Sequence, residues 1–129
     1  MTTEIKSGEE VYAIHVDLAS IKEGSFPATD PAATIQLLLM NRKKGHVVAK
    51  HSHKKLVKTT QQPQEALVVM TGAIEASIFD EKGDLIEKMD VTPGQCLLIL
   101  RGWHEVRFTE DALVYAFKDG PFMDDKISL

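Results

Sequence analysis

Gly45-His46-Val47-Val48-Ala49-Lys50-His51-Ser52-His53, then eleven residues to Glu65 and six more to Gly72, is the stretch on which the fold turns. Two histidines one residue apart cannot share a helix face. On a strand they can, because side chains alternate. That alternation puts His51 and His53 on one side with Val47 and Ala49, and His46, Val48, Lys50 and Ser52 on the other. Two imidazoles ending an inward strand, with a carboxylate opening the next, suit a mononuclear metal. His104, far downstream, is a third imidazole that could close the set. The competing reading is a His-x-His pair exposed on a surface hairpin, since short motifs carry false positives.

Outward from this stretch, turn signals divide the chain into short β-type runs. Val11–Val16 is strand-like, and its His15 has no ligand partner nearby in sequence. Met1–Glu10 is polar and reads as a frayed end. Ser20–Asp30 carries Gly24 and Pro27 and reads as a loop, with a short helical turn around Leu18–Lys22. Thr34–Met40 is a β-rich apolar run. Glu65–Thr71 is apolar on both faces beyond its glutamate, as in a strand buried on both sides. A carboxylate opening such a strand needs a metal or a basic partner. Ala73–Phe79, Leu85–Val91, Gln95–Leu100, Trp103–Thr109 and Ala112–Lys118 follow as strands. Asp80–Asp84 and Thr92-Pro93-Gly94 are the turns between them. In the Trp103 strand, His104, Val106 and Phe108 share a face, so this histidine heads an apolar side. Eight or so short strands without a convincing helix indicate an all-β sandwich or barrel.

Gly45, five residues, His51-x-His53, Glu65, six residues and Gly72 resemble the first motif of the cupin superfamily. That family has three or four residues between the second histidine and the glutamate, where this chain has Lys54 to Gln64. The extra length falls at a hairpin tip, where insertions are tolerated. Gly94, five residues, then Leu100-Arg101-Gly102-Trp103-His104 resembles the second motif more loosely. Leu100 stands where proline is usual, Trp103 alone separates glycine from histidine, and Phe108 stands where asparagine is common. The resemblance implies a cupin-like jelly-roll β-barrel (double-stranded β-helix) and the ligand set His51, His53, Glu65 and His104. It implies a divalent ion (Fe, Mn, Ni, Zn or Co) as cofactor, with open positions for substrate. The closing segment Phe117-Lys118-Asp119-Gly120-Pro121-Phe122, with Asp124-Asp125-Lys126, is similar to the tail of small bacterial cupins of surface-polysaccharide and sugar-nucleotide pathways.

Composition bounds the rest. The chain has 129 residues, 43% hydrophobic, which fits one domain spanning 1–129 with its core at about 33–118 and flanking N-terminal strand and C-terminal tail. The single cysteine, Cys96, excludes an internal disulfide and reads as a buried small residue. With no signal peptide or long apolar run, the expected location is the cytoplasm, with no membrane partner. Arg42, Lys43, Lys44, Lys50, Lys54, Lys55 and Lys58 are seven positives with no acid among them. The other eight positives and nineteen negatives leave a balance of −11. The basic run reads either as a solvated rim or as a field that draws an anionic, sugar-type ligand, with Lys54, Lys55 and Lys58 as its binding residues. Nucleic acid is not expected, given the acidic balance and the lack of aromatic-basic interleaving.

The functional expectation is a metal-binding small cupin that acts on or senses a carbohydrate-like or carbonyl-containing metabolite. The alternatives are a non-catalytic small-molecule module and a metal-free isomerase- or epimerase-like cupin with His51 or His53 as base. No catalytic residue is assigned, and whether the chain is an enzyme stays open. A homodimer is expected, with Val11–Val16 as the candidate pairing edge.

Overall fold

A computed structural model describes residues 1–128. Ten strands follow in order: β1 Thr2–Ser7, β2 Glu10–Asp17, β3 Gly24–Pro27, β4 Leu38–Asn41, β5 Glu65–Thr71, β6 Ile74–Phe79, β7 Leu85–Val91, β8 Gln95–Ile99, β9 Trp103–Phe108 and β10 Leu113–Lys118. A single 3-10 turn, Leu18–Ser20, follows β2, capped by the Asp17 carboxylate, which accepts from the Ala19 N–H.

The strands form three antiparallel sheets: β1-β2-β8-β5-β10, β7-β6-β9 and β3-β4. The all-β expectation holds at this level. The sheets are not closed into a barrel. The first two face each other, with β1 and β2 lying against β7 and β6 at one side. Ile5, Leu67, Val69, Ile74, Ala76, Ile78, Val91, Leu97 and Ile99 fill the space between them. The outer face of the five-stranded sheet holds a second cluster, in which Leu39 of β4 packs with Ile14, Val16, Ala66, Cys96 and Leu98. This explains why β5 and β8 are apolar on both faces.

Several sequence expectations change here. Met1–Glu10 is not frayed: β1 pairs with β2, and Ile5 is 2% exposed. Ile5, packed into the core between the facing sheets, gives that run a reason to dock. Ser20–Asp30 contains β3, which pairs with β4, and the β-rich Thr34–Met40 run becomes a strand only from Leu38. The proposed pairing edge Val11–Val16 is not an edge, because β2 is bonded to β1 on one side and β8 on the other. Its apolar character reflects an interior strand. The largest correction is the histidine segment. No strand covers residues 42–64, and residues 41–63 are exposed throughout.

Gly72 joins β5 to β6 at φ +76°. A Cβ there would stand 2.1 Å from the Asp111 carbonyl oxygen, so both backbone conformation and space require glycine.

Candidate functional site

The site is built on the first residue of β5 and the second of β9. Glu65 is in register with Ile99 of β8 and Lys118 of β10. It therefore shares the inner face of β5 with Leu67 and Val69. His104 is paired with Ile78, and Val106 with Ala76. Both of those partners are fully buried, so His104 also points between the sheets. The two strands thus aim an imidazole and a carboxylate at each other across the sandwich. His104 Nε2 and Glu65 Oε2 are 3.4 Å apart, with the side chains 36% and 23% exposed.

This separation is long for a strong hydrogen bond. It is close enough for His104 to hold the Glu65 carboxyl below its ordinary range, first by donating to it and also by its charge. Lys118 and Lys126 add to the effect, while burial opposes it. The expected basic partner of Glu65 is therefore His104, with the two lysines at longer range.

Gln64 fixes the entry to β5. Its backbone N–H donates to Asp119 Oδ1 at 2.8 Å, and its side-chain oxygen accepts from the Ile35 N–H at 2.9 Å. Thr34 Oγ1 donates to the Gln62 carbonyl oxygen at 2.7 Å. A shallow groove of about 760 Å³ runs beside this clamp, lined among others by Glu10, Thr34, Gln62, Gln64 and Arg101. Glu65 and His104 lie outside it. Gln64 was not singled out by the sequence, and Asp119 entered only within the closing segment Phe117–Phe122, because polar residues flanking a strand carry no pattern that shows their partners.

His51 and His53 sit on the exposed segment 43–58, whose hydrogen bonds among the described residues are internal: the His46 N–H donates to the Lys43 carbonyl at 3.1 Å, and His51 Nδ1 donates to the Ala49 carbonyl oxygen at 2.7 Å. With Nδ1 bonded in this way, Nε2 is the ring nitrogen left without a hydrogen-bond partner among the described residues. The two rings are edge-to-face, with centroids 5.1 Å apart. Lys54, Lys55 and Lys58 are on the same segment, all exposed. Among the described residues, no three His, Cys, Asp or Glu side chains converge as a metal site. The four sequence candidates are brought together as two pairs, His51 with His53 and Glu65 with His104.

The donor chemistry of the two pairs fits a divalent ion of the imidazole-carboxylate class. A 3.4 Å gap between Glu65 Oε2 and His104 Nε2 is a separation that two ligands bonded to one ion at about 2.1 Å can adopt.

The other expected residues settle simply. His15 is half-buried and its Nε2 meets Gln95 Oε1 at 3.0 Å. Cys96 is 8% exposed, and burial pushes its thiol up to about 11. No helix among the described residues is long and apolar enough to cross a membrane. Comparison with known proteins gives no matching family model, no matching curated protein and no matching solved structure.

Proposed function

We propose that the chain is a cupin-type, metal-binding protein that takes a small carbohydrate-like or carbonyl-containing metabolite at Glu65 and His104. One observation carries the reading. A carboxylate and an imidazole from opposite sheets meet at 3.4 Å in the mouth of the sandwich, where a structural role would be served more cheaply by apolar side chains. His51 and His53 are the remaining ligands, brought in by movement of the segment that bears them. When bound, the ion supplies Lewis acidity to a carbonyl or hydroxyl of the metabolite. The protein's own part is to hold Glu65 ionised, to fix the ring of His104, and to offer Lys54, Lys55 and Lys58 to an anionic group of the ligand.

The same contact favours a second reading. In a metal-free site, Glu65 orients the His104 ring, and His104 is the general base for a proton next to a carbonyl. This moves the base from His51 or His53 to His104.

Elemental analysis and calorimetric titration with Zn(II), Ni(II) and Mn(II) test the first reading. The parent is expected to bind one ion per chain, and Glu65→Ala and His104→Ala each to weaken that binding by at least tenfold. A parent that takes up none of these ions overturns the metal reading. Solvent-deuterium exchange into a keto-sugar, lost in His104→Ala, would then support the base.

A further inference from the structure

The two sides of the sandwich differ. With β1 and β2 against β7 and β6, the strands at the opposite side are β10 and β9, and each is bonded to one neighbour only. Their backbone groups on the free edges form two unpaired rows. The apolar side chains there are uncovered. Phe108 shares the inner face of β9 with His104 and is 59% exposed, while Leu113, Tyr115 and Phe117 on the edge strand β10 are 67%, 59% and 56% exposed, Tyr115 and Phe117 on the outer face in register with Val68 and Ala66. Glu65 and His104 lie beside this opening, Glu65 next to β10 and His104 on β9 itself.

The chain also carries a segment with nothing to cover. Residues 43–58 project as an arm that leaves just after β4. Its ends are tied by Arg42, whose Nε and Nη2 donate to Ser25 Oγ at 3.1 and 2.9 Å, and by the Thr34–Gln62 bond. Between these ties Val47, Val48, Leu56 and Val57 are 78%, 62%, 68% and 98% exposed. Folded out and back, sixteen residues reach about 25 Å. Six of the seven clustered positive charges are on the arm, and the chain outside 42–58 has a balance of −11. Glu105, Glu110 and Asp111 are on or beside β9 and β10, which also carry Arg107 and Lys118. Opening and arm are complementary in three respects: unpaired strand edge with β-branched segment, acidic body with basic arm, and a Glu-His pair with a His-His pair.

We propose that two copies of this chain exchange arms. Residues 43–58 of each copy lie along the open β9–β10 side of the other, and His51 and His53 of the partner subunit complete the site at Glu65 and His104. The site is then shared between subunits and incomplete in a single chain. A symmetric exchange of this kind closes after two copies. The inference rests on the proposed ligand set for its metal readout, but not for its oligomeric readout.

Two experiments separate the outcomes. In the first, the arm between Lys43 and Lys58 is replaced by a Gly-Ser linker of equal length. Among the described residues the arm makes no hydrogen bond to its own body, so the remaining fold keeps its contacts, and retained far-UV circular dichroism is the control. Light scattering at micromolar concentration should give a dimer for the parent and a monomer for the replacement. A monomeric parent, or a replacement that stays dimeric, overturns the exchange whether or not metal binds.

In the second, the His51→Ala/His53→Ala variant and the Glu65→Ala/His104→Ala variant are unfolded together in equal amounts and refolded. Neither alone should retain metal. In the mixture, half the dimers pair one of each, and exchange restores one intact site in each of these, giving about one Zn(II) per four chains. A mixture as empty as its components, beside a parent that binds metal, shows that each arm serves its own chain and overturns the proposal. A parent without metal overturns the ligand set instead, and the oligomeric state alone then decides the exchange.

Discussion

Glu65 Oε2 and His104 Nε2 lie 3.4 Å apart although their strands, β5 and β9, belong to different sheets. The contact ties the two layers at the end where the sandwich is open. It also gives Glu65 its lowered proton affinity, with His104 as the main cause.

The first prediction follows from that shift. The folded carboxyl of Glu65 lies below its ordinary value of 4.5, whereas in the unfolded chain it returns to that value. The folded state therefore binds fewer protons than the unfolded one in the window below 4.5. The stabilisation is fully present above that pH and is lost as pH falls through the folded value. In chelator-treated protein, the urea midpoint of the parent should exceed that of Glu65→Gln at pH 6, and the two should converge toward pH 3. A gap that widens on acidification would show that Glu65 is not held ionised.

Gly72 gives a sharper test of the fold. Gly72→Ala faces both a φ of +76° and the Asp111 carbonyl oxygen at 2.1 Å. Gly83→Ala has φ +90° with open space around it. Strained backbone alone costs about 1–3 kcal/mol. Gly83→Ala should fall in that range, while Gly72→Ala should lose more, because β5–β6 and the 111–112 turn must separate. Equal losses in chemical denaturation would mean that the turn around Asp111 yields freely.

Burial sets a third contrast. Ile78 is 0% exposed between the facing sheets, and Leu85 on β7 is 52% exposed. Ile78→Ala should cost about 2–5 kcal/mol. Leu85→Ala should stay within about 0.5 kcal/mol. Comparable effects at the two positions would contradict the placement of the core.

Cys96 offers a kinetic check. Its thiol is buried, with its pKa pushed up to about 11, so little thiolate is present at neutral pH. Labelling by iodoacetamide at pH 8 should be slow in the native protein and at least a hundredfold faster in denaturant. Rapid native labelling would mean that the outer face of β8 opens readily.

What the sequence made legible follows the reach of its signals. Alternation located β5 through β10 because β5, β6, β7 and β8 bury residues, and β9 and β10 half-bury Val106 and Val114 against the same core. It placed His104 on the inner face of β9 through its phase with Val106 and Phe108. The same alternation misled at Val47–His53. That segment has the pattern of a half-buried strand, yet nothing in its own chain covers it. A pattern records what a segment is suited to pair with, not which copy supplies the partner. β1 was missed for the opposite reason. Only Ile5 is buried in it, too little apolar content to stand out among Thr, Glu and Lys. The partners of Gln64 were invisible because side-chain contacts across 29 and 55 residues leave no local trace.

The last prediction concerns the basic arm. Lys54, Lys55 and Lys58 lie within five residues of His53 and are exposed, so under the proposed function each is free to meet a ligand at the site. With Lys43, Lys44 and Lys50 they concentrate positive charge on a chain that is otherwise acidic. Such a field acts over about 8 Å at physiological ionic strength and more weakly as salt rises. It speeds encounter with anions more than it strengthens any single contact. The Lys54→Gln/Lys55→Gln/Lys58→Gln variant should therefore bind glucose 1-phosphate with a several-fold lower association rate at 20 mM salt, and the difference should fade by 500 mM. Metal content should be unchanged, because no ligand atom is altered, and glucose itself should show no difference between variant and parent. If the triple variant captures the sugar phosphate as fast as the parent at both salt concentrations, the three lysines only keep the arm solvated and take no part in recognition.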